Sequence, residues 1–186
     1  MEVVETGACR GAHAGEEERL GKLVIRPAME SDLPRLTEIY NHYIRETAIT
    51  FEVEPYTVEG RMPWLAQFST SGRYRILVAE AEGQALGWAN SRRFHERAAY
   101  DPTIETSIYL DANCLGRGVG TELYGALFDL VRGEDVHRAI GGITLPNNAS
   151  VALHRKLGFS PVGVMREVGR KFGRWWDVGW FQKELP

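Results

Sequence analysis

A glycine-rich turn able to hold a phosphate is the most chemically specific feature of the chain. Leu115-Gly116-Arg117-Gly118-Val119-Gly120-Thr121 follows Ile104–Asp111, which alternates apolar and polar residues like a strand. It precedes Val119–Arg132, whose apolar residues recur at helical spacing. A strand, a bare turn and a helix in that order expose backbone N–H groups at a helix N-terminus. Those groups and the helix dipole favour a phosphate or pyrophosphate. The Walker pattern is missing, because Thr121 and Glu122 follow Gly120 where Lys and Ser or Thr are needed. The dinucleotide fingerprint is missing too, since the next strand ends in Thr144-Leu145-Pro146 without an acidic residue. By itself the turn fits either a phosphate ligand or a glycine-rich connection that binds nothing.

The elements around the turn are legible from periodicity and capping residues. Leu23–Arg26 reads as a strand ended by Pro27, and Ser31 as the N-cap of a helix burying Leu33, Leu36, Ile39, Tyr40, Tyr43 and Ile44. Phe51–Tyr56 reads as a loop, and Thr57 as the cap of a short helix reaching Phe68. Tyr74–Ala81 and Ala85–Arg93 form two strands joined by a turn at Glu82-Gly83-Gln84, and Phe94–Thr103 is a polar loop. Along Ile104–Asp111 the alternation puts Ile104, Thr106, Ile108 and Leu110 on one face, and Glu105, Ser107 and Tyr109 on the other. The helix after the turn is expected to bury Val119, Leu123, Ala126, Leu127, Leu130 and Val131 and to stop at Gly133. Arg138–Leu145 is a strand. A helix starting at Asn147 or Asn148 turns Val151, Ala152, Leu153 and Leu157 inward and closes on Gly158. Phe159–Arg166 and Val178–Glu184 close the series. The order βααβββαβαββ defines a single mixed α/β domain with a central sheet of six to seven strands flanked by helices.

Composition excludes several classes. The 186 residues suit one domain, and a net charge of -3 carries no polyanion signature, so no nucleic-acid partner is expected. Cys9 and Cys114 are the only cysteines, which argues against a disulfide framework or a zinc site and suits a reducing cytosol. Residues 1–20 carry Gly7, Gly11, Gly15 and Glu16-Glu17-Glu18 without apolar periodicity, and read as a flexible leader ahead of a domain at 21–186. No apolar run approaches the ~20 residues that span a bilayer, so a soluble, cytoplasmic protein is expected.

A second motif resolves the turn. Asn147-Asn148-Ala149-Ser150-Val151-Ala152-Leu153-His154-Arg155-Lys156-Leu157-Gly158-Phe159 resembles a signature of the GNAT acyltransferase superfamily. The turn resembles that superfamily's pyrophosphate loop, in the same order and at the same separation. Within the superfamily, Ala99–Ser107, Leu145-Pro146-Asn147, Lys171–Val178, Asn41-His42-Tyr43 and Thr50-Phe51-Glu52 resemble the phosphinothricin and methionine sulfoximine N-acetyltransferases, from Leu23 to Leu185. One position departs: the loop opens with Leu115 where the family has Gln or Arg, which leaves recognition to backbone N–H groups and to Arg117.

The resemblance implies the GNAT fold, acetyl-CoA as cofactor without a metal, and direct transfer of an acetyl group to the amine of a small amino-acid-like molecule. That chemistry needs a neutral amine, donors for the oxyanion and a proton for the thiolate. It implies Glu105 as general base and His154 as a possible acid or base, or simply as a cofactor contact. The cofactor would lie along Ile108, Tyr109 and Leu110, over Leu115, Gly116, Arg117, Gly118, Val119, Gly120 and Thr121, and beside Asn147 and Ser150. Asn147 is equally readable as a helix cap. Phe51, Arg97 and Tyr100 are the expected substrate contacts, with Arg92, Arg93 and His95 as competing cations. The segment with Lys171, Arg174, Trp175 and Asp177 implies a homodimer, although Trp175, Trp176 and Trp180 also suit a core. Other acceptors (an aminoglycoside, a polyamine or a protein N-terminus) and a non-catalytic CoA-binding module are the alternative readings.

Overall fold

The elements follow one another in the predicted order. The computed structural model describes Lys22–Leu185; the expected leader, with Cys9, lies outside the described residues. Along the chain come β1 (Val24–Pro27), α1 (Leu33–Glu46), α2 (Val58–Leu65), β2 (Ile76–Ala81), β3 (Gln84–Arg93) and β4 (Thr103–Leu110). They are followed by α3 (Val119–Val131), β5 (Arg138–Leu145), α4 (Asn148–Lys156), β6 (Ser160–Lys171) and β7 (Arg174–Glu184). The strands form one mixed sheet in the order β1-β2-β3-β4-β5-β7-β6, antiparallel except for β4 beside β5.

That parallel pair is short, and this shapes everything downstream. β4 and β5 pair only through Thr103–Glu105 and Arg138–Ile140, then part, leaving the β5-facing edge of β4 beyond Glu105 without a ladder. A strand edge without a ladder presents free N–H and C=O groups.

The sheet is covered on both faces. Leu36, Ile39 and Tyr43 of α1 pack with Ile76, Val78 and Trp88 on one side; Leu123, Tyr124, Leu127 and Phe128 of α3 pack with Leu77, Ala79 and Ile104 on the other. Burial on both faces is why β2 reads as the unbroken apolar run Ile76-Leu77-Val78-Ala79. Each such fully buried Leu or Ile contributes about 1.5–3 kcal/mol.

Several local expectations change. Ser31 is not the cap of α1: it lies in a 3-10 turn over Glu30–Asp32, and Asp32 instead accepts from the Met29 N–H (2.7 Å) and pairs with Arg26 (2.7 Å). Leu130 is 41% exposed, because the buried stripe of α3 runs through Leu123, Tyr124, Leu127, Phe128 and Val131 and leaves Leu130 off its edge. On α4 the buried residue is His154 rather than Ala152, which is exposed. The helix capped by Thr57 ends at Leu65. The last two strands are longer than predicted and meet in a two-residue turn at Phe172-Gly173, both with positive φ (52° and 73°), the turn whose twist suits a hairpin. Trp175 is exposed and Trp176 and Trp180 are half-buried, so the tryptophans of this hairpin are not core residues.

Candidate active site

The glycine turn opens onto a groove of about 440 Å³ between the end of β4 and α4. Gly116 and Gly118 adopt φ of +77° and +84°, the left-handed region that costs a side chain roughly 1–2 kcal/mol. Among the described residues, the backbone N–H groups of residues 116–120 donate to no group within the chain. Gly120 keeps the groove wall low: a Cβ there would meet Leu153 at 3.2 Å. The expected contacts Ile108, Tyr109, Leu110, Leu115, Gly116, Gly118, Gly120, Thr121, Asn147 and Ser150 all line the groove. Val119 and Arg117 do not: Val119 is buried in the α3 core and Arg117 is exposed. Lys156, nine residues along from Asn147, lines the groove and is a cation that no local motif in the sequence marks. Free donors at one end and an unladdered strand edge along the side suit a molecule carrying phosphates and an amide-bearing arm.

The residues at the fork come from three elements. Asn147 caps α4, its side chain accepting from the Ser150 N–H at 3.1 Å, while lining the groove as well. His154 is 3% exposed among Tyr124, Phe159 and Phe181. Its Nδ1 lies 2.8 Å from the Ser150 carbonyl, which only accepts, so Nδ1 carries the hydrogen and Nε2 the lone pair. Burial lowers the His154 pKa, a shift the Ser150 bond opposes. Next to it the Tyr124 hydroxyl is buried with no hydrogen-bond partner. Burial raises its pKa, so it stays protonated. His154 and Tyr124 line a small cavity of about 50 Å³ between the diverging strands, with Thr106, Ser107, Tyr109, Thr144, Asn147 and Ser150. Tyr124 was missed because in the sequence it is one more apolar-face residue of α3.

On the opposite side of the sheet lies a third cavity of about 170 Å³. Its floor is two cross-strand pairs, Trp88 with Tyr109 and Asn90 with Ser107, followed in register by Arg92 with Glu105. Trp88 and Tyr109 are stacked with centroids 5.1 Å apart. Arg92 donates to the Glu105 carboxylate at 2.7 Å, so Glu105 is held by an ion pair at the cavity's edge. Tyr40, Tyr56, Arg61 and Trp64 close the roof, and Glu52 stands at the exposed rim. Tyr109 and Ser107 line both this cavity and the fork, and Tyr109 the groove as well, so β4 is the wall common to all three spaces.

The expected substrate residues sit elsewhere. Phe51 lies flat against β6, where a Cβ on Gly169 would come within 2.2 Å of its ring, and Lys171 donates to the Thr50 carbonyl at 2.8 Å beside it. Tyr100 is exposed with its ring against Phe94 and His95, and Arg97 is exposed in the same loop. None of the three lines a cavity of the site. Of the competing cations, Arg92 does; Arg93 is turned outward to Asp101.

A groove with free backbone donors and an open strand edge, backed across the same strand by a polar cavity, suits a CoA-dependent acyltransferase. The acetyltransferase (GNAT) domain family matches residues 25–180. A phosphinothricin N-acetyltransferase of Streptomyces coelicolor is 50% identical over 163 residues, covering 87% of this chain and 95% of that protein. An L-methionine sulfoximine/L-methionine sulfone acetyltransferase of Pseudomonas aeruginosa is 36% identical, covering 87% and 94%. Among solved structures, a GNAT superfamily phosphinothricin acetyltransferase from Sinorhizobium meliloti in complex with acetyl-CoA superposes with a TM-score of 0.81 at 33% identity, covering 88% of each chain. The chain belongs to the GNAT acetyltransferase family and is an N-acetyltransferase with acetyl-CoA as its cofactor. Among the described residues no helix is long and apolar enough to cross a membrane, and no cluster of metal-ligating side chains occurs.

Proposed function

We propose that this enzyme transfers the acetyl group to the α-amine of a small amino-acid-like acceptor, of phosphinothricin or methionine sulfoximine type, with Glu105 as general base. The observation that carries the reading is the position of Glu105: it is the last β4 residue paired to β5, it precedes Thr106 of the fork, and although it lines none of the three spaces itself its partner Arg92 lines the polar one. The names of the relatives from Streptomyces coelicolor and Pseudomonas aeruginosa supply the acceptor class.

Bound acetyl-CoA supplies a thioester that a neutral amine can attack. The residues of the chain supply the rest. The Glu105 carboxylate, oriented by Arg92, takes a proton from the incoming ammonium, directly or through one water. Backbone N–H groups on the open edge of β4 are donors for negative charge that develops beside them. A departing thiolate needs a proton. In its resting tautomer His154 offers a lone pair at Nε2, so it accepts or relays, whereas the unpaired Tyr124 hydroxyl is the donor at the same cavity.

A homodimer is part of this reading. Val162, Val164, Met165, Val168, Phe172 and Trp175 are all exposed on β6, β7 and their turn, apolar surface along the edge hairpin of the sheet that a second copy would cover. Sedimentation of the enzyme against a Val164→Glu variant checks it, with a monomeric parent counting against it.

A panel of amino acids, sulfoximines, polyamines and an aminoglycoside, assayed with acetyl-CoA by release of free thiol, tests the function. Turnover is expected with the amino-acid-like amines. Turnover confined to another class, or acetyl-CoA binding without transfer to any amine, would overturn it.

A further inference from the structure

Arg61, on α2, is 4% exposed, and no ion pair among the described residues includes it. Its guanidinium carbon lies 3.9 Å from the Trp64 ring centroid and 4.3 Å from that of Tyr40. Aromatic rings cover the faces of a guanidinium but leave its N–H donors, which lie in its plane, unanswered. Nε and Nη2 are buried without an acceptor, and so is Nε1 of Trp88 in the cavity floor. An unpaired buried cation is costly, and proteins rarely keep one without a ligand or partner to answer it. Neither acid beside this face answers it: Glu105 is committed to Arg92, and Glu52, at the exposed rim of the cavity, makes no ion pair to Arg61. At about 170 Å³ the cavity has room for about six waters at ~30 Å³ each, the scale of one small acidic group with its stem.

Resting on the acceptor class proposed above, we infer that Arg61 is the anion seat of the acceptor site: its guanidinium fork binds an acidic group of the amino-acid substrate while the amine is presented to Glu105. A carboxylate and a phosphinate offer the same paired oxygens, and a fork of N–H donors fits either. Ser107 supports the geometry. It shares the β4 face with Glu105, one side-chain repeat (about 6.6 Å) further along, and lines the cavity with Arg61. The Arg61 cavity and Glu105 are therefore served by the same face of β4. Arg97 and Tyr100, which the resemblance suggested for this role, line no part of the cavity.

Steady-state kinetics of the parent, Arg61→Met and Arg61→Lys test this with four acceptors: L-methionine sulfoximine, whose one anionic group is its carboxylate; L-phosphinothricin, which adds a phosphinate; and the α-carboxamide of each. Loss of one charged hydrogen bond weakens binding by about 10- to 150-fold. In Arg61→Met the KM of the acids should rise by that factor with the KM of acetyl-CoA unchanged, and the parent's preference for acid over amide should collapse. Equal loss for both acids identifies the α-carboxylate; loss confined to phosphinothricin identifies the phosphinate. An unchanged acid-to-amide preference in Arg61→Met overturns the seat. A second readout does not depend on turnover. Acetate or methylphosphinate should raise the Tm of the parent and not that of Arg61→Met, so a parent that acetylates neither acid sinks the proposed acceptor while this measurement still decides the seat. No rise in the parent overturns it. Arg61→Met removes a buried unpaired charge and should not lower Tm; if it fails to fold, Arg61→Lys, which keeps the charge but loses the fork, carries the same comparison.

Discussion

Arg92 and Glu105 face each other across the β3–β4 ladder, with the guanidinium donating to the carboxylate at 2.7 Å. The pair fixes the carboxylate at the point where β4 leaves β5, with Arg92 lining the polar cavity. Arg92 is thus a positioning residue for the proposed base, and its own outer half remains in solvent.

If Glu105 takes the amine's proton, Glu105→Gln lowers kcat by about 10²- to 10⁴-fold, while acetyl-CoA binds as in the parent. Thiol release and calorimetric titration of acetyl-CoA measure the two. Turnover within a few-fold of the parent would remove Glu105 from the chemistry.

Tyr124 predicts an opposed pair of effects. Its hydroxyl is buried without a partner, and such a group costs about 1–3 kcal/mol. Tyr124→Phe should therefore keep or raise Tm, yet slow turnover about tenfold or more if the hydroxyl gives the proton to the thiolate. A variant that is more stable and fully active would show that the hydroxyl has no part in the reaction.

His154 makes stability depend on pH. Burial lowers its folded-state pKa below the ordinary ~6.5. The unfolded chain then binds more protons than the folded one from about pH 6.5 downward, until the folded-state pKa is reached. The stability contribution is full above that window and declines as pH falls through it. Urea unfolding at pH 7.5 and 5.5 should show a smaller decline for His154→Gln than for the parent, and equal declines would contradict the assignment.

The groove predicts a split between the two substrates. Gly120→Val sets methyl groups against Leu153, which already lies 3.2 Å from an added Cβ, and narrows the wall facing the cofactor. The KM for acetyl-CoA should rise about tenfold or more, a loss of roughly 1.4 kcal/mol, with the KM for the amine nearly unchanged. Gly118→Ala should cost roughly 1–2 kcal/mol of stability from its φ of +84°. Equal changes in both KM values for Gly120→Val would move the cofactor elsewhere.

Much of this protein is written in consecutive residues. The strand alternation of Ile104–Leu110, the left-handed demand at Gly116 and Gly118 and the Asn147 cap are local constraints, and ten of the twelve expected cofactor contacts line one groove because they lie on three adjoining segments. Where local reading failed, the deciding term was which neighbour a side chain met. Leu130 and Ala152 are apolar but face away from the core, and His154 is polar but enclosed by three aromatic rings.

The sequence by itself determined the order of elements, the glycine turn at a helix N-terminus and the family, since backbone geometry and periodicity act over a few residues at a time. Only the tertiary structure decided that β4 and β5 part after Glu105, that Arg92 holds Glu105, and that Arg61 and Tyr124 bring unpaired polar groups to the two sides of β4. Arg61 stands 29 positions from Asn90 and 46 from Ser107 in the chain. No local signal links residues so far apart; their juxtaposition comes from α2 packing over the β3–β4 face, where shape and burial choose the neighbours.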